Sequence, residues 1–214
     1  MTFWKSKPPP GTQIDKLHPL AQGLVGCWTM NENGGMKAYD ISGYGNHGTL
    51  TNMAFPPTAT SGWNPGGRGS SLRFDGVNDY VEVADADSLS FTSGGMSISV
   101  WVKRNNNTRS ESIVDKYQSE TGLEYVFGFF SDGLLYFWVY DNTTMAYMGR
   151  IATDFDAGIW HYVTATYNGG TTPSACKIFV DGVQVDNANM GTGAGFVSMR
   201  NTTQPVSIGR TNTG

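Results

Sequence analysis

Apolar and polar residues alternate with a period of two over short runs along most of this chain. That period sends successive side chains to opposite faces of a strand. In Leu134–Tyr140, Leu135, Phe137 and Val139 fall on one side, and Tyr136, Trp138 and Tyr140 on the other. Ser97–Lys103 sets Ile98, Val100 and Val102 against Ser97, Ser99 and Trp101, and Glu124–Phe130 sets Tyr125, Phe127 and Phe129 against Val126, Gly128 and Phe130. Shorter β-type runs predict strands at Leu24–Met30, Ser71–Asp75, Tyr80–Val83, Ser112–Tyr117, Thr144–Arg150, Trp160–Tyr167, Cys176–Val180, Val183–Asp186 and Val206–Gly209. No stretch sustains apolar residues at i, i+3, i+4 and i+7, so almost no helix is expected.

The turns join these runs into hairpins. Asp132-Gly133 and Asp181-Gly182 each separate two strands, and both read as two-residue type I′ turns, which need positive φ at both central residues. Asn168-Gly169 opens a longer connection. Consecutive hairpins argue for antiparallel sheets in an all-β sandwich. Thr51–Gly69, with Pro56, Pro57, Pro65 and several glycines, reads as a long surface loop. Residues 1–22, including Pro8–Pro10, read as an extended N-terminal arm, leaving 23–214 as one domain.

Composition narrows the classes. At 214 residues the chain can bury a core without a disulfide or metal. Charged residues are 15% against a usual ~25%, and 28 glycines with 13% aromatics suit short strands and tight turns. A net charge of −4 argues against nucleic acid as a partner. No apolar run approaches the ~18 residues of a membrane span, and the N-terminus has no secretory signal. Cys27 and Cys176 both fall in predicted strands. They are either two buried thiols or a pair.

Gly23–Gly35 (GLVGCWTMNENGG), Ala38–Leu50 (AYDISGYGNHGTL), Ser71–Val83 (SLRFDGVNDYVEV), Ser97–Lys103, Ile159–Gly169 (IWHYVTATYNG), Lys177–Val185 (KIFVDGVQV) and Val206–Arg210 (VSIGR) occur in the order seen in laminin-G-like, concanavalin-A-like lectin domains, and the chain resembles that family. The resemblance implies a jelly roll of two stacked antiparallel sheets. It implies that Asp40, Asn46 and His47 hold one turn and that Asp75 and Asp79 shape another. The family includes lectins, adhesion modules and glycosidases, so fold does not choose the function. The family's usual final strand has no counterpart here. Leu24–Met30 is then expected at an open edge, either because the chain is a truncated product or because another segment or subunit fills the gap by donor-strand pairing.

Candidate chemistry is sparse. Glycosidases similar to laminarinases carry E-x-D-x-x-E on one strand, and none of Glu32, Glu82, Glu111, Glu120 and Glu124 sits in that pattern. Glu120 and Glu124 are read as flanking a loop. His18, His47 and His161 lack metalloprotease spacing and are read as structural. Asp75, Asn78 and Asp79, with Asp40, offer hard oxygens for calcium, or else simply form turns. The amphipathic rings Trp101, Tyr136, Trp138 and Tyr140, with Trp63 from the long loop, are expected to bind a ligand. The chain is therefore expected to be a non-catalytic recognition module for a glycan or a protein surface. The alternative is a virion-associated structural, decoration or tail protein docking through its arm and open edge as a homo-oligomer or on a virion shell. The expected location is extracellular or on a virion surface.

Overall fold

The computed structural model describes residues 7, 12–66, 69–105, 109–117, 122–142, 144, 146–153 and 155–210. Pro8–Pro10 of the expected arm and Glu120 lie outside these residues. Among the described residues the helical pieces are short 3-10 turns at Pro19–Ala21, Asp87–Leu89 and Pro173–Ala175, as the missing 3.6-residue period predicts. The chain divides into two compact units, Met1–Leu89 and Ser90–Gly214.

The first unit carries β1 (Lys37–Ala38), β2 (Gly48–Thr51), β3 (Gly62–Gly66), β4 (Gly69–Arg73) and β5 (Tyr80–Val83). β2 pairs antiparallel with β1 and β5, and β3 and β4 form a hairpin. Asp40 organises its largest turn. Its Oδ1 accepts from the amides of Cys27 and Ser42 at 2.9 and 2.8 Å, and its Oδ2 from Ser42 Oγ and the Asn46 amide at 2.8 and 3.0 Å. Burial alone would raise this carboxyl, but those hydrogen bonds outweigh it and hold Asp40 below the usual carboxylate range. Asn46 Nδ2 reaches Val25 O, and the Asp40 amide donates to His47 Nδ1. The trio named by the family resemblance does hold this turn.

Two expectations are corrected here. Leu24–Met30 is not a strand and so presents no open sheet edge. Only Trp28 bridges to Asp40, because the Asp40 carboxylate takes the Cys27 amide, Trp28 folds over Gly26, and Met30 turns to φ +49. The expected loop Thr51–Gly69 contains strand β3. Asn64–Ser71 and Trp63–Leu72 pair in its hairpin, and Pro65 is tolerated because a two-stranded ribbon leaves one side of each strand without a ladder.

The second unit carries β6 (Met96–Val102), β7 (Glu111–Lys116), β8 (Tyr125–Phe129), β9 (Leu135–Tyr140), β10 (Tyr147–Ala152), β11 (His161–Tyr167), β12 (Cys176–Val180), β13 (Val183–Gln184), β14 (Asp186–Met190) and β15 (Val206–Ile208). A larger sheet runs β15-β7-β8-β9-β10-β14, and a smaller one β13-β12-β11-β6. The pairings within both are antiparallel. Phe127, Phe129, Leu135, Phe137, Val139 and Met148 of the larger sheet are buried, as are Val163, Ala165, Cys176 and Ile178 of the smaller. β12 contacts β9 and β10 across the layer. This is an all-β, antiparallel jelly-roll sandwich.

The Asp181-Gly182 turn has φ +51 and +85, as a type I′ hairpin requires. Asp132-Gly133 differs. Only Gly133 is left-handed, and the Phe130 amide donates to Leu134 O at 2.9 Å, giving a three-residue loop with a glycine bulge. After β13 the chain changes sheets, and β14 pairs with β10. Asp186 fixes this corner, its Oδ1 accepting the Ile178 amide at 3.0 Å and its Oδ2 pairing with Arg150 Nε at 2.7 Å. Both cysteines are free thiols, and burial pushes the Cys176 thiol up to about 12.

Candidate ligand-binding faces

The alternation along β9 holds. Leu135, Phe137 and Val139 are fully buried in the core, while Tyr136, Trp138 and Tyr140 line the opposite face. Cross-strand register fills in that face. Gly128 faces Tyr136, Val126 and Gly149 flank Trp138, and Tyr147 sits beside Tyr140. The rings form a continuous layer. Tyr136 and Trp138 stack at 4.5 Å and 19°, Trp138 meets Tyr140 edge-on at 6.2 Å, and Tyr147 lies 5.8 Å from Tyr140.

Access grades along this layer. Tyr136, expected among the ligand-binding rings, is only 2% exposed, packed against Phe130 at 4.2 Å, and that expectation is corrected. Trp138 and Tyr140 are half-buried, and Tyr147 is 42% exposed. Burial, with Tyr117 and Tyr147 nearby, raises the Tyr140 hydroxyl well above its ordinary value, so it stays a donor. The Trp138 indole Nε1 is buried without a hydrogen-bond partner. Asp141 anchors the end of the layer. Its oxygens accept from the amides of Thr144, Val197 and Ser198, fixing the short connection that brings Tyr147 beside Tyr140.

The other candidate residues do not join them. Trp101 lies on β6 of the smaller sheet, on its side away from the core, paired with Tyr162. It cannot share a site with Trp138, because the two sheets pack by their inner faces. Trp63 is 3% exposed and its Nε1 donates to Gly35 O at 2.8 Å. The expectation of an accessible loop ring there is corrected, since the segment is a strand that buries its indole.

The oxygen-rich turns serve the backbone. Asp75 Oδ1 accepts from the amides of Val77 and Asn78 at 2.8 and 3.2 Å, and Asp79 Oδ2 from the Asp75 amide at 3.0 Å. Asp40 likewise caps its own turn, while Asp79 Oδ1 is buried with no hydrogen-bond partner. Among the described residues no group of three His, Cys, Asp or Glu is arranged to hold a metal. Glu124 is fully buried against Lys116, and Glu111 pairs with Arg104 at 3.1 Å. His161 Nδ1 lies 2.7 Å from Asp181 Oδ2. No described helix is long and apolar enough to cross a membrane.

Sequence reasoning passed over Tyr147, Tyr162 and Asp115. Tyr147 alternates with Gly149 opposite the β9 rings, and a pairing of β9 with β10 would have exposed it. Asp115 joins the same face, through Val126 and then Trp138.

A family model described as the concanavalin A-like lectin/glucanases superfamily matches residues 75–214. The chain is also similar to the crystal structure of the botulinum neurotoxin serotype D binding domain, with TM-score 0.53 and 13% identity, over 85% of this chain and 42% of that one. Botulinum neurotoxin type C, whose cell entry depends on interaction with two ganglioside molecules, gives TM-score 0.48 and 17% identity over 86% and 45% of the two chains. The chain thus spans less than half of the length of either structure. At 13% identity the likeness to the serotype D binding domain is one of fold. No curated protein matches the chain in sequence.

Proposed function

Since this chain belongs to the concanavalin A-like lectin/glucanase superfamily, we propose that it is a non-catalytic carbohydrate-binding module whose ligand meets the aromatic face of the larger sheet. One observation carries this reading: the Trp138 Nε1 is buried with no partner, beside a Tyr140 that stays half-open and a Tyr147 that is exposed. An unmade hydrogen bond at a buried donor costs about 1–3 kcal/mol, and a sugar hydroxyl would recover it once a rotation of the indole opens the donor, which is closed to solvent in the unliganded chain. The half-open Tyr140 and exposed Tyr147 offer ring surface to the C–H face of a pyranose. Two glutamates of this sheet are held in ion pairs and Asp115 on the ring face is fully buried, which favours binding over hydrolysis. A glycosidase needs an acid and a second carboxylate facing one cleft, whereas Glu124 and Glu111 are committed to Lys116 and Arg104.

A glycan-array screen of the wild type and Trp138→Phe, each with and without calcium, tests this. The phenylalanine keeps a ring but removes the indole N–H. The variant is expected to lose its glycan signal while melting no lower than the wild type. Equal signals from both proteins, or no glycan bound by the wild type, would refute the proposal. A calcium-dependent signal would assign the Asp75–Asp79 turn a metal.

A further inference from the structure

The smaller sheet carries a second ring pair of different character. Trp101 and Tyr162 are register partners on β6 and β11, 60% and 39% exposed, with centroids 5.4 Å apart and planes at 44°. One register step on, Ser99 Oγ and Thr164 Oγ1 lie 3.0 Å apart. Ser97 and Thr166 follow them. Next to the rings is thus a low ledge of hydroxyls, and the half-buried Phe179 pairs with Thr164 from the adjacent strand.

The charged residues on the strands of this face are of one sign. β6, β11, β12 and β13 contain no Asp or Glu. Lys177 is exposed on β12, beside Thr166, and Lys103 is exposed immediately after β6. The one acid at the turn between β12 and β13, Asp181, is committed. Its Oδ2 meets His161 Nδ1 at 2.7 Å and its Oδ1 accepts the Tyr162 amide at 2.9 Å. Asp181 keeps its negative charge, held below the usual carboxylate range by the Tyr162 amide and His161, so with Lys103 and Lys177 these three groups leave one net positive charge on this face of a chain whose net charge is −4.

We propose that the Trp101–Tyr162 face is a separate binding site for an anionic saccharide, a glycan bearing carboxylate or sulfate groups. The two open rings receive the apolar side of a sugar, the ledge hydroxyls exchange hydrogen bonds with its hydroxyls, and Lys103 and Lys177 complement its charge. Because both ammonium groups are exposed, salt screens the attraction. The face lies on the opposite side of the sandwich from Trp138, so one unit can hold two ligands at once.

The test is calorimetric titration of the full chain with a sulfated oligosaccharide and with its desulfated counterpart. The proteins are the wild type, Trp101→Ala, the charge reversal Lys103→Glu/Lys177→Glu, and Trp138→Phe. The sulfated form should bind the wild type, more weakly as salt rises, and the desulfated form about tenfold less well. Trp101→Ala and the charge reversal should each weaken binding of the sulfated form by about tenfold or more, and Trp138→Phe should leave it unchanged. The charge reversal alters only exposed side chains, so it decides the matter if Trp101→Ala melts early. Absence of binding, equal affinity for the two saccharides, or wild-type affinity in the charge reversal overturns the proposal. Loss in Trp138→Phe alone would move the anionic ligand to the larger sheet.

Discussion

Lys116 Nζ lies 2.7 Å from Glu124 Oε1, with both side chains fully buried. Glu124 Oε1 also accepts from the Thr202 amide and hydroxyl at 2.6 and 2.9 Å, and Lys116 Nζ donates to Ser90 Oγ and to Thr202 O. The pair therefore ties β7 and the entry to β8 to Ser90 and to the segment before β15. Removing one partner strands the other charge in a dry site, which costs about 3–5 kcal/mol. Glu124→Gln should lower unfolding stability by that order in urea, and Lys116→Met/Glu124→Leu should recover most of it. A Glu124→Gln protein as stable as the wild type would contradict the role.

Asp115 sets a pH dependence. It is fully buried on the Trp138 side of the larger sheet, with neither oxygen in a hydrogen bond of good geometry. Burial pushes its carboxyl up to about 7, against the weaker lowering pull of Ser112, Arg210, the Tyr117 amide and Ser207. The unfolded chain would release that proton in the ordinary carboxylate range, so between there and about pH 7 the folded state holds the extra proton. Its contribution is complete at acid pH and is lost as pH rises through the folded value. Asp115→Asn should match the wild type near pH 4 and exceed it at pH 8 by at most about 4 kcal/mol. Urea unfolding of both proteins at the two pH values measures this, and a difference that does not change with pH would refute it.

How far these features were legible in the sequence follows from which forces act locally. The faces of β9 could be read because alternation is set by neighbouring residues alone, and Leu135, Phe137 and Val139 are fully buried. The Asp181-Gly182 turn could be read for the same reason. β14 could not, because Asp186–Met190 is polar and becomes a strand only through pairing with β10. The separation of Trp101 from Trp138 was invisible, since both lie on alternating strands and only topology assigns each strand to its sheet. Leu24–Met30 has strand-like composition, but the Asp40 carboxylate and Trp28 occupy its backbone groups and surface.

The two exposed-ring candidates that parted company should respond oppositely to truncation. Trp63 is 3% exposed with its indole hydrogen-bonded, so Trp63→Ala should cost about 3–5 kcal/mol of stability. Trp101 is 60% exposed, and Trp101→Ala should stay within about 0.5 kcal/mol of the wild type. Paired denaturation curves decide it. A Trp63→Ala protein that unfolds like the wild type but fails to bind glycan would restore Trp63 to the ligand site.

Gly149 explains how the ring layer lies flat on its sheet. Glycine in a strand interior weakens it, yet Gly149 occupies β10 opposite Trp138. A Cβ there would collide with Phe137 O and stand 2.7 Å from Trp138 Cβ. Gly128 is the counterpart on the other side, where a Cβ would meet Tyr136 Oη at 2.9 Å. These two absent side chains make the room that Tyr136 and Trp138 fill. Gly149→Ala should therefore destabilise the fold by about 1–3 kcal/mol, although alanine suits a strand at least as well as glycine. It should also shift Trp138 fluorescence and weaken glycan binding, because the clash is with the ring's own backbone. Gly182→Ala, a similar change at a left-handed turn residue with open space around it, should cost stability without either optical or binding change. If the two variants behave alike, the glycine at 149 is a backbone preference, and the ring layer does not depend on it.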